Sequence, residues 1–226
     1  MGRQHSYNFT FTNCIIKSTN IFATNYVGAV IGHSCYPVNI TNTSVLNSNI
    51  TSASWSGCFV GHTNSLQLAI NNCTSFDNSI ISVSFSGGLI GFANSVYGAA
   101  STILNLTNCT IYNNTILSTN VYSGGIIGYI NATVTITNCN VSNSIISSAN
   151  YAGGITSFGN YSSLTLKSSK IQSVKISKLN GALIIGFKNS FTVNLVNSFS
   201  EGDNFVNDVL VQNCASFTSS VSINGC

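Results

Sequence analysis

The sequence predicts an all-β protein, a right-handed parallel β-helix of about six coils with three short strands in each. Three observations carry that expectation. A glycine motif returns six times, as Tyr26-Val-Gly-Ala-Val-Ile-Gly32, Trp55-Ser-Gly-Cys-Phe-Val-Gly61, Phe85-Ser-Gly-Gly-Leu-Ile-Gly91, Tyr122-Ser-Gly-Gly-Ile-Ile-Gly128, Tyr151-Ala-Gly-Gly-Ile-Thr-Ser157 and the degenerate Gly181-Ala-Leu-Ile-Ile-Gly186. A ruler position, held by Asn13, Asn42, Asn72, Asn108, Asn138, Ser168 and Asn197, recurs every 29 or 30 residues except for one interval of 36. No helical period appears, and the single proline, Pro37, falls between repeats. A β-propeller blade needs four strands and usually about 40 residues, so the shorter unit favours the helix.

Each unit opens on alternation: Phe9-Thr-Phe11, Val38-Asn-Ile40, Leu68-Ala-Ile70, Leu104-Asn-Leu106, Val134-Thr-Ile136 and Leu164-Thr-Leu166. Period two over such residues is a strand with one buried face. The ruler Asn then makes a corner, because Asn tolerates the left-handed backbone and its amides can bond from coil to coil as a ladder. If those amides turn inward, the sequons at Asn72 and Asn108 carry no glycan. Three residues on stands Ile16, Val45, Ser75, Ile111, Val141 or Ile171, and eight on the residue is always isoleucine: Ile21, Ile50, Ile80, Ile116, Ile146, Ile176. An unbroken column implies identical side chains stacked in register about 4.8 Å apart. The glycine motif supplies the third strand, and Asn64, Asn94, Asn131, Asn160 and Asn189 mark a further corner. The long interval places an outer loop at Ser95 to Ser101. One domain results, with repeats at about 6–37, 38–65, 66–101, 102–132, 133–163 and 164–190 and an irregular part over 191–226.

Only 5% of the residues are charged, against about a quarter in an ordinary domain. The net charge is +3, and Lys167, Lys170, Lys175, Lys178 and Lys188 crowd into one repeat, so no basic stripe exists for nucleic acid. No apolar run approaches the roughly 18 residues of a membrane span. The opening Met1-Gly-Arg-Gln-His-Ser is not a secretory signal, and a repeat begins near Ser6, so the chain reads as a piece of a longer protein or a mature form. Eleven Asn-x-Ser/Thr sequons suit a secreted glycoprotein, although a composition this rich in Asn, Ser and Thr produces most of them. Asn39, Asn105 and Asn131 are the outward glycosylation candidates.

The pairing of Thr133-Val-Thr-Ile-Thr-Asn-Cys139 with Gly87-Gly-Leu-Ile-Gly-Phe92 resembles the GLUG repeats of bacterial and protist surface proteins, and is similar to repeats of chlamydial polymorphic membrane proteins. The likeness covers residues 6 to 190. It implies a β-helical stalk or adhesin at the cell surface or secreted, and transfers no catalytic residue; some IgA-specific metallopeptidases carry such repeats.

Candidate chemistry is sparse. The acidic residues are Asp77, Glu201, Asp203 and Asp208, of which three lie in one segment that reads as a calcium loop or as a solvated cap. Paired carboxylates within a coil are absent, which argues against an acid/base hydrolase. His33 and His62 share a column with Phe92, Tyr129, Phe158 and Phe187, and read as packing before metal. Cys14, Cys73, Cys109 and Cys139 form a thiol column, while Cys214 and Cys226 are the disulfide candidates. The column Tyr26, Trp55, Phe85, Tyr122, Tyr151 is a packed seam or a platform for sugar rings. Val30, Phe59, Leu89, Ile126, Ile155 and Leu183 adjoin a second apolar column in the same strand, so one of the two is expected to face outward, unless a bend turns both in, and to pack on another copy or another part of the parent. The expected function is a non-enzymatic, self-associating, extracellular structural or adhesive segment, with no cofactor, no catalytic residue and no metal. The alternatives are a carbohydrate-binding module or relic polysaccharide lyase, whose partners are host or matrix glycans, and an ice-binding surface built on outward rows such as Thr135 and Thr137.

Overall fold

The computed structural model describes residues 8–94, 103–161, 163–177, 180–189 and 191–211. The first coil contains β1 (Phe9–Thr12), β2 (Ile15–Lys17), β3 (Asn20–Ala23), β4 (Tyr26–Gly28) and β5 (Ile31–Ser34). The second repeats it as β6 (Val38–Thr41), β7 (Ser44–Leu46), β8 (Asn49–Ser52), β9 (Trp55–Gly57) and β10 (Val60–Thr63). Four more coils follow as β11 to β30, between Gln67 and Asn189. Each coil therefore has five strands rather than three, and equivalent strands stack into five sheets of seven, six, seven, eight and six strands. Pairing is parallel throughout until the last pair. The described residues contain no helix. The chain is a β-solenoid of about six turns.

The region expected to be irregular, 191–226, continues the solenoid in its described part. β31 (Thr192–Val196), β32 (Phe199–Glu201) and β33 (Asn204–Val206) add half a coil, and β34 (Val209–Val211) pairs antiparallel with β33. The inserted loop at Ser95 to Ser101, and both Cys214 and Cys226, lie outside the described residues.

Two columns of left-handed residues make the sharp corners. The ruler positions have φ between 46° and 58°. Five residues later comes a second set, Ser18, Asn47, Asp77, Asn113, Asn143 and Ser173, with φ between 48° and 55°. The expected further corner at Asn94, Asn131, Asn160 and Asn189 is instead the last residue of a strand, where Asn131 Nδ2 donates to Asn94 Oδ1 at 2.8 Å and Asn189 Nδ2 to Asn160 Oδ1 at 3.1 Å.

The interior is filled by the columns that the alternation predicts. Ile50, Ile80, Ile116, Ile146 and Ile176 are fully buried and paired coil to coil, as are Ile40, Ile70, Leu106 and Ile136. Fully burying one such side chain is worth about 1.5 to 3 kcal/mol. One rung is polar: buried Ser75 stands between Val45 and Ile111, and its Oγ accepts from Asn78 and Asn114 at 3.2 and 3.0 Å. Those two buried amides also accept backbone N–H groups of the preceding coil, Ser48 to Asn78 at 2.9 Å and Asn78 to Asn114 at 2.7 Å, so the polar group is satisfied inside the core.

The glycine motif is a fold in the chain, not an outer face. Between β9 and β10 the backbone turns at Cys58 and Phe59, so consecutive apolar residues both point inward. Phe59, Leu89, Ile126, Ile155 and Leu183 are fully buried and Val30 is half-buried, and the neighbouring column Val60, Ile90 and Ile127 is fully buried too. The expected outward apolar column therefore does not exist, and these six residues offer no interaction face. A Cβ on Gly57 would lie 2.1 Å from the Val60 carbonyl oxygen and 2.6 Å from the Gly91 nitrogen. The close backbone approach that glycine permits is made by the same chain.

Candidate functional site

The largest concentration of recognisable side chains is a double file of rings beside the glycine fold. One file stands on the strands before the fold: Tyr26 stacks on Trp55 at 4.5 Å, Phe85 on Tyr122 at 5.1 Å and Tyr122 on Tyr151 at 5.4 Å. The other stands on the strands after it: His33 on His62 at 4.7 Å, Phe92 on Tyr129 at 4.8 Å and Tyr129 on Phe158 at 5.1 Å, with interplanar angles of 5°, 14° and 6°. The files lock edge to face, as between Phe85 and Phe92 at 5.1 Å and 79°. Rings one coil apart and nearly parallel use their faces on each other, leaving edges for solvent. A sugar platform needs exposed faces, so this seam is packing.

His62 is 5% exposed, and neither ring nitrogen has a hydrogen-bond partner. Burial, followed by the neighbouring His33, pushes its pKa down to about 4. Imidazoles stacked face to face carry their ring nitrogens in parallel planes, so His33 and His62 do not converge on a shared ion. Cys35 Sγ lies 3.6 Å from His33 Nε2, and among the described residues no three His, Cys, Asp or Glu side chains gather as metal ligands.

The thiol column is a set of corner braces. Cys73, Cys109 and Cys139 are buried, free, and donate to the carbonyls two residues back at 3.2, 3.3 and 3.4 Å; Thr43, Ser169 and Ser198 make the same bond in their coils. Cys139 Sγ and Ser169 Oγ each accept the N–H of the preceding coil's brace. Burial raises Cys73 to about 11, and the adjacent Cys139 thiol together with burial raises Cys109. Cys73 and Cys109 are thereby held protonated, whereas the hydrogen bond with Cys109 lowers Cys139.

Two of the three acids in the C-terminal segment are paired, while Asp203 is exposed. Glu201 pairs with Lys170 at 2.8 Å and Asp208 with Lys175 at 2.9 Å, and Asp77 Oδ1 accepts from Asn113 Nδ2 at 2.5 Å in a corner ladder. The lysine cluster of the sixth repeat was legible; that it answers the acids one coil on was not, because lysine and acid lie 31 and 33 residues apart.

Among the sequons, Asn39 and Asn105 are exposed on the first sheet. Asn131 is half-buried, and its Nδ2 is the atom committed to Asn94. The ruler amides, expected to turn inward, are exposed: Asn108 Nδ2 donates to Asn72 Oδ1 at 3.0 Å, and Asn138 Nδ2 to Asn108 Oδ1 at 3.2 Å.

This chain shares its fold with a protein of known structure. A crystal structure of a putative immunoglobulin A1 protease from Bacteroides ovatus is similar, with a TM-score of 0.70 and 20% sequence identity over 96% of this chain and 67% of that one. The likeness is one of fold. No protein-family model and no curated protein matches the sequence.

Proposed function

We propose that this chain is a non-enzymatic, rod-like structural or adhesive segment of a longer protein that is secreted or displayed at a cell surface. The observation that carries the reading is the use made of its chemically capable groups. Thiols brace corners, three of the four carboxylates meet lysines or a ladder amide, and ring faces stack on one another. The resemblance of the glycine repeats to GLUG repeats supports the surface setting, as does a polarity carried by Asn, Ser and Thr in place of charge.

The similar Bacteroides protein is named for peptide hydrolysis, which sets the decisive assay. Incubated with human immunoglobulin A1, the purified chain leaves the heavy chain intact over a day. Cleavage that persists through repurification and disappears with one point substitution would falsify the non-enzymatic reading. Protease shaving of intact source cells tests the setting: peptides of this chain are released from the surface fraction, and their confinement to the cytosolic fraction removes the second half of the proposal.

A further inference from the structure

The outward row of the first sheet runs Thr10, Asn39, Ala69, Asn105 and then Thr135 and Thr165. Ala69 is the small residue in that row. The missing bulk leaves a hollow of about 410 Å³ that reaches from Phe9 in the first coil to Asn105 in the fourth, within the size range of small-molecule sites. Three coil steps of about 4.8 Å make it about 14 Å long. Among the described residues no charged side chain lines it.

Its walls are of two kinds. Asn39, Gln67 and Asn105 bring amides to the hollow; Thr41 donates to Asn39 Oδ1 at 3.1 Å, and the Gln67 and Asn105 side chains make no hydrogen bond among the described residues. At the ends stand Phe9 and Ile103, each 46% exposed, and Phe9 is held edge-on by Tyr36 at 6.2 Å. A planar amide donates and accepts at once, as a pair of neighbouring hydroxyls requires, while an aromatic or branched side chain suits the C–H face of a pyranose ring. Among the described residues an anionic ligand finds no counter-charge here.

From this juxtaposition we infer that the hollow over Ala69 is a binding site for a neutral oligosaccharide lying along the solenoid axis. This goes beyond the structural role and is independent of whether the segment is enzymatic. The ligand has two sources, a separate glycan or the protein's own N-linked sugar on Asn39 or Asn105.

The test uses protein made without glycosylation, titrated with mannotriose, chitotriose and maltotriose and, as the charged control, trigalacturonic acid, with backbone amide resonances as the readout. At least one neutral trisaccharide is expected to bind with Kd of about 1 mM or tighter, shifting Gln67 and Asn105, and the acidic trimer roughly tenfold more weakly. Ala69→Phe, which fills the floor, and Gln67→Ala each weaken binding by about tenfold, whereas Thr135→Ala on the same face leaves it unchanged. Absence of any neutral binder at millimolar concentration, or binding indifferent to both variants while their spectra remain folded, overturns the site. Natively glycosylated protein that binds only after enzymatic removal of its glycans identifies its own sugar as the occupant; equal binding before and after identifies a separate glycan.

Discussion

At Ile116 the packing argument reduces to one side chain. It is fully buried and paired with Ile80 and Ile146 in the coils on either side, so truncation leaves a void that neighbours on a fixed 4.8 Å lattice cannot close. Ile116→Ala is expected to lower stability by about 2 to 5 kcal/mol, and Thr135→Ala on the outer face by about 0.5 kcal/mol or less, measured by urea denaturation. Equal losses would mean the register is wrong. His62 gives a second residue-scale test. Its folded pKa, near 4, lies below the unfolded value of about 6.5, so the unfolded chain binds the proton first. Stability is therefore full above pH 6.5 and falls as pH drops toward 4. His62→Phe, which installs the residue that Phe92 and Phe158 supply elsewhere in the column, should remove that part of the slope in melting temperature between pH 7 and 4; an unchanged slope would show that His62 is not its source. The column positions were readable because each repeats in type. Where the ruler amides point was not, since a left-handed Asn serves a corner equally well with its side chain in or out.

A single element decides how each coil closes. The fold between β9 and β10 and its copies bring two backbones into contact with no side-chain layer between them. On Gly124 a Cβ would lie 1.9 Å from the Ile127 carbonyl oxygen. Gly124→Ala is thus expected to destabilise by about 1 to 3 kcal/mol or to prevent folding, seen as loss of soluble protein or of the denaturation midpoint; a neutral effect would mean the two strands can separate freely. The sixth coil carries Ala182 at the matching place, in the copy whose motif is degenerate. The glycines are legible in the sequence; that the backbone they admit belongs to the same solenoid is not. Period two forbids adjacent residues such as Phe59 and Val60 from sharing a face only while the strand runs straight, and nothing in the residue types announces a two-residue bend. Each coil holds five strands where the sequence suggests three, because the second left-handed column, Ser18, Asn47, Asp77, Asn113, Asn143 and Ser173, and the two-residue glycine fold split what read as continuous strands.

Over the whole molecule, the outside is a patchwork of stacked polar rows whose differences lie in which atoms are already in use. Glycosylation requires a free Nδ2. In a glycosylating host, peptide mapping should find sugar on exposed Asn39 and Asn105 and none on Asn131, whose Nδ2 is bound to Asn94. Sugar on Asn131 would show that this ladder opens before the coil closes. The hollow over Ala69 was visible in the sequence only as an interruption of an outer row, since its depth depends on Phe9 and Ile103, far apart in sequence, standing at opposite ends of one hollow three coils long.

The register of one coil per axial step also determines how such a rod would yield to tension. Because every sheet bonds each coil only to the coils before and after it, a pull applied between the two ends loads these bonds one row at a time, like a zip, instead of sharing the force across the molecule. Each row that lets go frees a repeat of about 30 residues, whose extended length of roughly 100 Å replaces a rise of about 4.8 Å. Stretched in an optical trap, the chain should lengthen in a staircase of nearly equal steps of that size, and a single large rupture would show that the coils fail together.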